Sequence, residues 1–297
     1  MTYPVGIIGV GNMGGAMAAN LLAHGWPVQV CDIDATKTHF LTLQGAVVHA
    51  YPADMAAHMS TDASASLLIV CVVDGVQTQD VLFGLKGAAQ HLKAGQAVML
   101  CPTISPEDVQ VCAHQLADLG IQTLDAPMSG GPARARNGSM SLMLACSDAV
   151  FQRHQALLAT LSSQVFRISQ QPGDGAKTKL INNLLAGINL VGAAEVMALS
   201  ERMGLDLTTT LDVIEQSSGQ SWIGNDRMRR AVSDDFEPRA HTTLLAKDTK
   251  LAVAAAQQLG FKTPLGKLTS DTFARALAHG LAEEDDASLI KLMRHDN

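Results

Sequence analysis

Charged residues are scarce in this sequence, and no long run of like charge stands out. Of its 297 residues, 16% are charged and 47% are hydrophobic, and the formal net charge is -7. A chain of this size and composition can bury a substantial core, which argues against intrinsic disorder. An acidic chain without a basic patch is not expected to bind nucleic acid or an anionic membrane, although a few local lysines can still hold a small anion.

Paired cysteines and metal-binding spacings are also missing. The five cysteines are far apart, at positions 31, 71, 101, 112 and 146, and none forms a CxxC pair. Cys31, Cys71 and Cys101 lie in apolar runs, so we expect buried free thiols and a reducing cytoplasm. The ten histidines show no HExxH-like or paired spacing, and we expect no metal site.

Long hydrophobic runs are absent as well. The longest, LLIVCVV at 67–73, is far too short to span a membrane. The opening residues MTYPVGIIGVG lack the basic leader and the cleavage site of a signal peptide. We therefore expect a cytoplasmic protein without a membrane segment.

The first half of the chain alternates short apolar runs with helical stretches. Runs rich in Val, Ile and Leu, without in/out alternation, predict buried parallel strands at 5–10, 28–32, 67–73, 97–101 and 121–127. Helices are predicted between them at 13–24, 35–43, 76–83 and 106–119, the last capped by Ser105. A strand at 140–146, a helix at 148–161 and a strand at 165–168 would close the domain. The alternation predicts an α/β fold with a doubly wound parallel sheet of the Rossmann type.

The second half shows no strand pattern after residue 175. Residues 177–203 form one long helical pattern that is apolar nearly all round, and such a helix is expected to be buried on most sides. Further helices are predicted at 206–217, 222–232, 244–259 and 263–279. We predict two domains, an α/β domain over 1–168 and an all-α domain over 169–297, with the long helix at their junction.

The segment GVGNMG at 9–14 matches the dinucleotide fingerprint G-x-G-x-x-G, and it lies between a predicted strand and a predicted helix. Gly9 permits a tight turn, Gly11 lets the backbone approach the pyrophosphate, and Gly14 lets the helix pack closely on the strand. The helix N-terminus then offers free N–H groups to the phosphates. Asn12 and Met13 complete the cofactor-binding segment.

An acid, Asp32, follows 18 residues after Gly14, at the end of the strand VQVCD. Its carboxylate is placed to accept hydrogen bonds from the ribose hydroxyls of the adenosine half of the cofactor. The same carboxylate would repel a 2′-phosphate, and no arginine follows it. We therefore predict NAD, in preference to NADP, as the cofactor.

Four motifs then occur in a fixed order: GVGNMGGAMAANLLAHG (9–25), LDAPMSGGPARARNGSM (124–140), GDGAKTKLINNLL (173–185) and LLAKDTKLA (244–252). With these motifs the chain resembles the β-hydroxyacid dehydrogenases, which include 3-hydroxyisobutyrate dehydrogenase and tartronate semialdehyde reductase and are related to the N-terminal part of 6-phosphogluconate dehydrogenase. The resemblance covers almost the whole chain. Three further segments, 72–84, 217–230 and 283–293, are similar to the threonate dehydrogenase branch.

The resemblance implies that Lys179 is the catalytic lysine and that Asn183 acts beside it. The two positions are i and i+4 on a helix, so their side chains lie on one face. Asn183 would hold the lysine nitrogen or a substrate hydroxyl. Lys177, two residues away, is interpreted as a solvated surface residue.

The remaining site residues also follow from the resemblance. Ser129, Gly130 and Gly131 would bind the substrate carboxylate through a hydroxyl and backbone N–H groups. Lys247 would lie close to nicotinamide and substrate, with Asp248 as its orienting partner or as a plain surface acid. The loop that usually reads S-T-x-S-P is CPTISP here, so only its Thr103 is assigned to the cofactor. Val73 is also assigned to the cofactor, and Trp222 either shapes the substrate pocket or fills a core.

The expected reaction is reversible hydride transfer between NAD and a short hydroxy acid, such as the four-carbon acid L-threonate. Neutral Lys179 would accept the hydroxyl proton. A free lysine titrates near pH ~10.4, so the site must favour the neutral amine or the enzyme must work best at alkaline pH. Lys247 would help by repelling that charge and stabilising alkoxide.

The same residues allow other functions besides oxidation of L-threonate. Closely related substrates are those of 3-hydroxyisobutyrate dehydrogenase and tartronate semialdehyde reductase, and loss of carbon dioxide could follow if the product is a 3-oxo acid. An imine reductase usually lacks the lysine, and a 6-phosphogluconate dehydrogenase needs a longer, more basic chain. An inactive NAD-binding scaffold is the non-enzymatic alternative. Because the long helix is so apolar, and because relatives associate through this domain, we expect a homodimer or homotetramer.

Overall fold

The structure is a computed structural model, and it describes residues 2–59 and 66–295. The chain divides into two compact units, Met1–Lys179 and Leu180–Asn297. All the strands of the described residues lie in the first unit, which confirms a Rossmann-type first half and a helical second half.

The strands of the first unit are β1 (Val5–Ile8), β2 (Val28–Cys31), β3 (Val47–Val48), β4 (Leu67–Val70), β5 (Ala97–Leu100), β6 (Gln122–Asp125), β7 (Met128–Ser129), β8 (Met140–Ala145) and β9 (Ser162–Ser169). Its helices are α1 (Asn12–Ala23), α2 (Ala35–Thr42), α3 (Pro52–His58), α4 (Gly75–Phe83), α5 (Pro106–Asp118), α6 (Gly131–Arg136) and α7 (Asp148–Leu161). The helix α8 (Asp174–Arg202) contains the point at which the chain divides.

The sheet has the strand order β3-β2-β1-β4-β5-β6-β8-β7, with β9 paired to β8. The six strands from β3 to β6 are parallel, and Val5 of β1 pairs with Val28 of β2 and Leu67 of β4. The strand β8 runs antiparallel to β6 and β7. The chain order reverses around β1, which is the arrangement that opens a ligand crevice at the carboxyl edge of a doubly wound sheet.

Both faces of this sheet are covered, which explains why the strands read as continuous apolar runs. Ile7 and Ile69 belong to one core cluster, and Ile8 and Val70 belong to the cluster on the other face. All four side chains are at most 3% exposed. Since successive side chains of a strand point to opposite faces, no polar position can alternate with the apolar ones.

Several short elements were not predicted, among them β3, α3, α6, β7 and the helix Leu289–His295. Each is seven residues or shorter, too short to show a period in the sequence. The predicted cap of α5 is confirmed, because the Asp108 N–H donates to Ser105 Oγ over 3.0 Å. The cysteines are free, with Cys71 partly exposed and the other four buried.

The second unit is helical. Its helices after α8 are α9 (Leu207–Glu215), α10 (Trp222–Val232), α11 (Thr242–Gln258), α12 (Pro264–Ala278) and α13 (Leu289–His295). Their core includes Leu190, Met197, Met228 and Phe273, all completely buried. A side chain at Gly187 would come within 2.7 Å of Thr249 Cγ2, so this glycine lets α8 and α11 pack closely.

The helix α8 differs from expectation on one side. Leu180, Val191 and Met197 are buried, but Ile181, Leu185 and Leu199 are each more than half exposed. The expectation of burial on most sides is therefore wrong for the single chain, which leaves an apolar strip open. Within the described ranges α8 is also the one helix long and apolar enough to cross a membrane, a weak indication because core helices of water-soluble proteins pass the same test.

Two segments that resemble the threonate branch form one ionic cluster in the second unit. Arg227 and Arg230 of α10 pair with Asp286 and Asp285, which precede α13. Both acids are at most 1% exposed. Asp285 also accepts the backbone N–H groups of Arg239 and Ala240. The cluster fixes the C-terminal segment to the helical core.

Candidate active site

The glycine loop after β1 has the geometry of a dinucleotide-binding turn. Gly9 has φ +85°, and a Cβ there would lie 2.6 Å from the carbonyl oxygen of Cys71. A Cβ on Gly14 would collide with the carbonyl oxygen of Gly9. By contrast, nothing lies within 4 Å of a Cβ built on Gly11. Gly9 and Gly14 are therefore required by the protein itself, whereas the space at Gly11 is open to a ligand.

The helix α1 begins directly at this loop. Gly11 is its N-cap and contributes no side-chain cap, and the first turn holds no acidic residue. Asn12 is exposed and Met13 is partly buried against the core. Uncapped N–H groups and the positive helix end favour an anion here, and the residues fit the pyrophosphate of a dinucleotide.

Asp32 follows β2 and faces the same loop. Its Oδ2 accepts the N–H of Val10 over 2.7 Å, and its Oδ1 accepts the N–H of Asp34 over 2.9 Å. Each carboxylate oxygen has a second lone pair, so both can still accept a ribose hydroxyl. Asp32 thus ties the end of β2 to the glycine loop and keeps its acceptors available.

A cavity of about 310 Å³ opens beside the start of α1. Its walls come from the glycine loop, from α2 and from α6, and two cationic side chains line it, Lys37 from α2 and Arg136 from α6. Lys37 is 3.7 Å from the carboxylate of Asp34. Neither cation was assigned to the site from sequence, because they are separated by 98 intervening residues and match no short motif.

The other predicted cofactor and substrate residues of the first unit follow strands at the same edge. Val73 lies between β4 and α4 and is 52% exposed. Thr103 lies in the loop between β5 and α5 and is partly exposed. Since the carboxyl ends of neighbouring parallel strands meet at one edge, the topology brings these two loops beside the glycine loop and Asp32.

Ser129, Gly130 and Gly131 form the turn from β7 into α6. Gly130 has φ +130° and Gly131 has φ +72°, conformations that favour glycine. Nothing lies within 4 Å of a Cβ built on Gly131. Gly131 therefore presents its backbone without a covering side chain, as an anion-binding segment requires, whereas a Cβ on Gly130 would lie 2.8 Å from Arg134 Cδ.

Lys179 lies on the second turn of α8, and the start of that helix is held to the sheet by Asp125. The Oδ2 of Asp125, at the end of β6, accepts the N–H groups of Gly173 and Ala176 over 2.8 and 3.1 Å. Lys179 itself is 8% exposed. Lys177 is a different kind of lysine, because its side chain is 56% exposed and pairs with Asp174. Its predicted surface position is confirmed.

Asn183, one turn after Lys179, belongs to a buried polar network of the second unit. Its Nδ2 donates to Asp248 Oδ2 over 2.6 Å, and its Oδ1 accepts from Asn182 over 2.9 Å. The other oxygen of Asp248 pairs with Lys247 Nζ at 2.7 Å. Asp248 is 5% exposed, so the reading of it as a surface acid is wrong, and it is the orienting partner of Lys247.

Trp222 is the first residue of α10 and is 60% exposed. It is not a core tryptophan, and that alternative is wrong. Its assignment to the substrate pocket stays a prediction.

Asp125 was missed by the sequence-based choice of site residues, whereas Asp248 was named as a partner of Lys247 or a surface acid but not assigned to the site. Asp125 ends an apolar strand, where an acid is unusual, and that position is the signal that could have identified it. The signal for Asp248 was its place beside Lys247. Its bond to Asn183 joins positions 65 apart, and no local pattern shows such a pair.

Comparison with known proteins places this geometry in a family. Residues 4–169 match the family described as the NAD binding domain of 6-phosphogluconate dehydrogenase. Residues 173–293 match the family described as the NAD-binding region of NADP-dependent 3-hydroxyisobutyrate dehydrogenase.

Individual relatives agree. An L-threonate dehydrogenase of Escherichia coli O6:H1 is 38% identical over 290 residues, covering 98% of this chain and 94% of that protein. The mitochondrial 3-hydroxyisobutyrate dehydrogenase of Bos taurus is 32% identical, covering 99% of this chain and 87% of that protein. The crystal structure of a 3-hydroxyisobutyrate dehydrogenase from Salmonella typhimurium superposes with a TM-score of 0.90 at 36% identity, covering 98% of this chain and 99% of the other. The chain therefore belongs to the 3-hydroxyisobutyrate dehydrogenase-like family of β-hydroxyacid dehydrogenases, and it is an NAD(P)-binding oxidoreductase that acts on a CH–OH group.

Proposed function

We propose that this protein oxidises a hydroxyl group of a short hydroxy acid reversibly, with a four-carbon sugar acid such as L-threonate as substrate and NAD as cofactor. The observation that carries the proposal is the placement of Lys179. It is a buried lysine on a helix whose first turn is bonded to the carboxyl edge of the dinucleotide-binding sheet. The choice of substrate is supported by the relatives named L-threonate dehydrogenase, at 33–38% identity.

In the proposed reaction, different residues bind the substrate and transfer the proton. The turn Ser129–Gly131 binds the substrate carboxylate through its backbone N–H groups and the serine hydroxyl. Neutral Lys179 accepts the hydroxyl proton, and in the reverse direction its ammonium returns that proton to the developing alkoxide. Removing a lysine amine from water disfavours its charged form, so burial supports the role of a base. The nicotinamide, when bound, accepts the hydride from the substrate carbon.

The polar network of the second unit supports a positioning role for Asn183 and Lys247. Asp248 accepts one amide hydrogen of Asn183 and forms an ion pair with the ammonium of Lys247. Asn183 keeps a second amide hydrogen for a substrate oxygen. The positive charge of Lys247 would stabilise the alkoxide form of the substrate.

The preference for NAD is supported by Asp32. Val73 and Thr103 lie in loops at the same sheet edge and would contact the cofactor with it. A carboxylate held in place by two backbone N–H groups cannot turn away from a 2′-phosphate without losing those bonds. Repulsion between the two anions would then weaken binding of NADP.

The first test is an assay for NADH formation by the purified protein with NAD and L-threonate at alkaline pH, read by absorbance. We expect robust turnover with NAD and little with NADP. Parallel assays with 3-hydroxyisobutyrate and tartronate semialdehyde cover the closest alternatives, and headspace carbon dioxide reports any decarboxylation. Turnover with 3-hydroxyisobutyrate but not with L-threonate would contradict the proposed substrate and leave the reaction class intact.

The second test separates the proposed base from its neighbour. Lys179→Ala is expected to lower kcat by about 10³-fold or more while leaving NAD binding intact. Lys177→Ala, on the same turn but exposed, is the matched control and should keep wild-type turnover. A Lys179→Ala variant that folds, binds NAD and turns over normally would show that Lys179 is not the base. A wild type that binds NAD but turns over none of the substrates would instead support the inactive-scaffold alternative.

We also propose that the protein acts in the cytoplasm as a homodimer or homotetramer that associates through the helical second unit. The support is the apolar strip of α8, where Ile181 is 69% exposed and Leu185 58%. Such strips on monomers mark association surfaces. Light scattering should give a mass at least twice 31.3 kDa, and a concentration-independent monomer would contradict this.

A further inference from the structure

Asp125 caps α8 from a distant part of the chain. A helix start normally has its free N–H groups satisfied by a side chain immediately before it. Here the acceptor for the N–H groups of Gly173 and Ala176 is Asp125 Oδ2, 48 and 51 positions away. The acid at the start of the helix, Asp174, is engaged instead by Ser169 and Lys177. The helix that carries Lys179 is therefore capped by the sheet.

The two glycines beside Asp174 make this contact possible. A Cβ on Gly175 would lie 2.6 Å from the carbonyl oxygen of Met143 and 2.9 Å from Asp125 Cγ. Gly173 has φ +102°, a left-handed conformation that turns the chain into the helix. No side chain fits at position 175, because the helix start lies directly against β6 and β8. The segment Gly173–Gly175 thus packs the start of α8 directly on the ends of β6 and β8.

We propose that Asp125 is a positioning residue for proton transfer at Lys179, because its carboxylate holds the first turn of α8 on the end of β6 and so sets where the lysine amine lies. The inference rests on the proposed function of Lys179. Ala176, whose N–H bonds to Asp125, is one helical turn before Lys179, so a shift of that bond displaces the lysine directly. Misplacement of a catalytic group by about 1 Å can cost ~100-fold in rate.

The charge state of Asp125 supports a functional reading. Burial raises the pKa of Asp125 to about 6, against the lowering effect of the N–H groups of Ala176, Gly173 and Gly175, and Asp174 adds to the rise. The remaining oxygen, Oδ1, is buried and has no hydrogen-bond partner within the described part of the chain. Because the folded-state pKa of this carboxyl lies above its unfolded value, the stability of the protein falls as pH rises from about 4 to about 6. Above about pH 6 the carboxyl is ionised, and the whole cost to stability is present. A destabilising negative charge is therefore present at the start of α8, the helix that carries Lys179.

Ionisable groups from three elements face Asp125. They include Asp174 on α8, Cys101 after β5 and Cys146 after β8, and, besides burial, Asp125 raises the pKa of both thiols. Burial raises the pKa of Cys146 to about 11 and that of Cys101 well above its usual value. Both thiols stay neutral near pH 6, so protonation of Asp125 is the change expected there.

The test compares Asp125→Asn with Asp174→Asn. The first removes the charge of the sheet carboxylate, and the second removes a neighbouring exposed charge at the same helix start. Substrate reduction is the informative direction, because the proposed mechanism then uses the protonated form of Lys179, which a fall in pH favours. Stopped-flow assays with NADH keep each measurement short.

We expect Asp125→Asn to lower kcat by about 10–100-fold with KM and the Kd for NADH changed less than ~3-fold. Wild type and Asp174→Asn should lose rate as pH falls below about 6, and Asp125→Asn should not. Its Tm at pH 8 should equal or exceed that of wild type, because the cost of ionising Asp125 is gone. The amide of Ala176, seen by selective ¹⁵N labelling, should titrate near pH 6 in wild type and in Asp174→Asn but not in Asp125→Asn. The wild-type measurement remains informative if Asp125→Asn folds poorly.

Two outcomes overturn different statements. Wild-type kcat and an unchanged acid limb in Asp125→Asn, beside an inactive Lys179→Ala, would overturn the positioning role and leave the proposed function standing. Full turnover in Lys179→Ala would overturn the proposed function, and the role of Asp125 with it. An Ala176 amide that does not titrate in wild type would also overturn the inference.

Discussion

Asn183 donates its amide N–H to the buried carboxylate of Asp248, with 2.6 Å between Nδ2 and Oδ2. The bond joins two motifs of the chain, the asparagine pair on α8 and the Lys-Asp pair on α11. Because the second oxygen of Asp248 pairs with Lys247 at 2.7 Å, one carboxylate orients an amide and an ammonium together. Asp248 thereby fixes two of the polar groups assigned to the substrate.

Asp248→Asn is expected to impair catalysis while preserving the fold. The variant keeps a hydrogen-bond acceptor but loses the charge that holds Lys247. Losing a hydrogen bond to a charged group costs about 1.5–3 kcal/mol, so kcat/KM should fall about 10–100-fold. Steady-state kinetics and circular dichroism check both statements. Asp271→Asn, in an exposed ion pair with Lys267 on α12, is the control, and equal effects of the two variants would remove the special role of Asp248.

Gly11→Ala and Gly14→Ala should separate cofactor binding from folding. A methyl group at position 11 meets no protein atom within 4 Å, whereas at position 14 it collides with Gly9. Gly11→Ala should keep the wild-type Tm and weaken NAD binding. Gly14→Ala should lose about 1–3 kcal/mol of stability through overpacking. Calorimetry and thermal melts of the apo protein measure these effects, and unimpaired NAD binding by Gly11→Ala would place the pyrophosphate elsewhere.

Asp32→Asn should relax the choice between the two nicotinamide cofactors. The amide keeps one acceptor for the loop but no longer repels a 2′-phosphate, so the ratio of kcat/KM for NADP to that for NAD should rise about tenfold or more. Titration of each cofactor by protein fluorescence gives the binding component. Asp34→Asn, two residues later and engaged by Thr36, should leave the ratio unchanged. A constant ratio in Asp32→Asn would assign the preference to another residue.

Asp285→Ala should destabilise the second unit. The carboxylate is completely buried and pairs with Arg230 at 2.9 Å. Although burial raises it, the pKa of Asp285 is brought down to about 2 by Arg230 and by the N–H groups of Ala287, Ala240 and Arg239. Removing one partner of a buried ion pair costs about 3–5 kcal/mol. Thermal denaturation at pH 7 measures this loss, with Asp235→Asn as the exposed control.

The same carboxylate predicts an acid dependence. Because its folded-state pKa lies below its unfolded value, the stability from Asp285 is present above about pH 4 and is lost as pH falls toward about 2. The difference in stability between wild type and Asp285→Ala should therefore shrink over that window. A difference that stays constant down to pH 2 would contradict the assigned pKa.

Much of the fold could be predicted from local pattern. The strands β1, β4 and β5 are continuous apolar runs because both faces of the sheet are buried. The start of α5 could be predicted because Ser105 is a residue type that caps helices, and its hydroxyl does so here. The glycine fingerprint could be recognised because Gly9 and Gly14 are required by close backbone contacts, and Gly11 leaves space open to a ligand. The elements that were missed, such as the two-residue β3 and the six-residue α6, are shorter than any period that a pattern can show.

The site was harder to predict because its key contacts join distant positions. Lys179 was assigned through resemblance, since an isolated lysine in a helix carries no local sign of its role. Neither the bond from Asp125 to the start of α8 nor that from Asn183 to Asp248 has a sequence signal, and each depends on how strands and helices pack. Exposure was also misjudged at α8, where composition alone could not show that one apolar strip stays open.

The ionic cluster at the end of the chain has a consequence for how the protein is made. Arg227 and Arg230 emerge from the ribosome some 55 residues before Asp285 and Asp286, and the buried side chains of Leu289, Ile290 and Leu292 come later still. Until those residues are synthesised, Asp226 pairs with both arginines, but their buried partners are missing and an apolar surface of the helical unit stays uncovered. The helical unit can therefore close only after residues 285–292 have been made, later than every strand of the sheet.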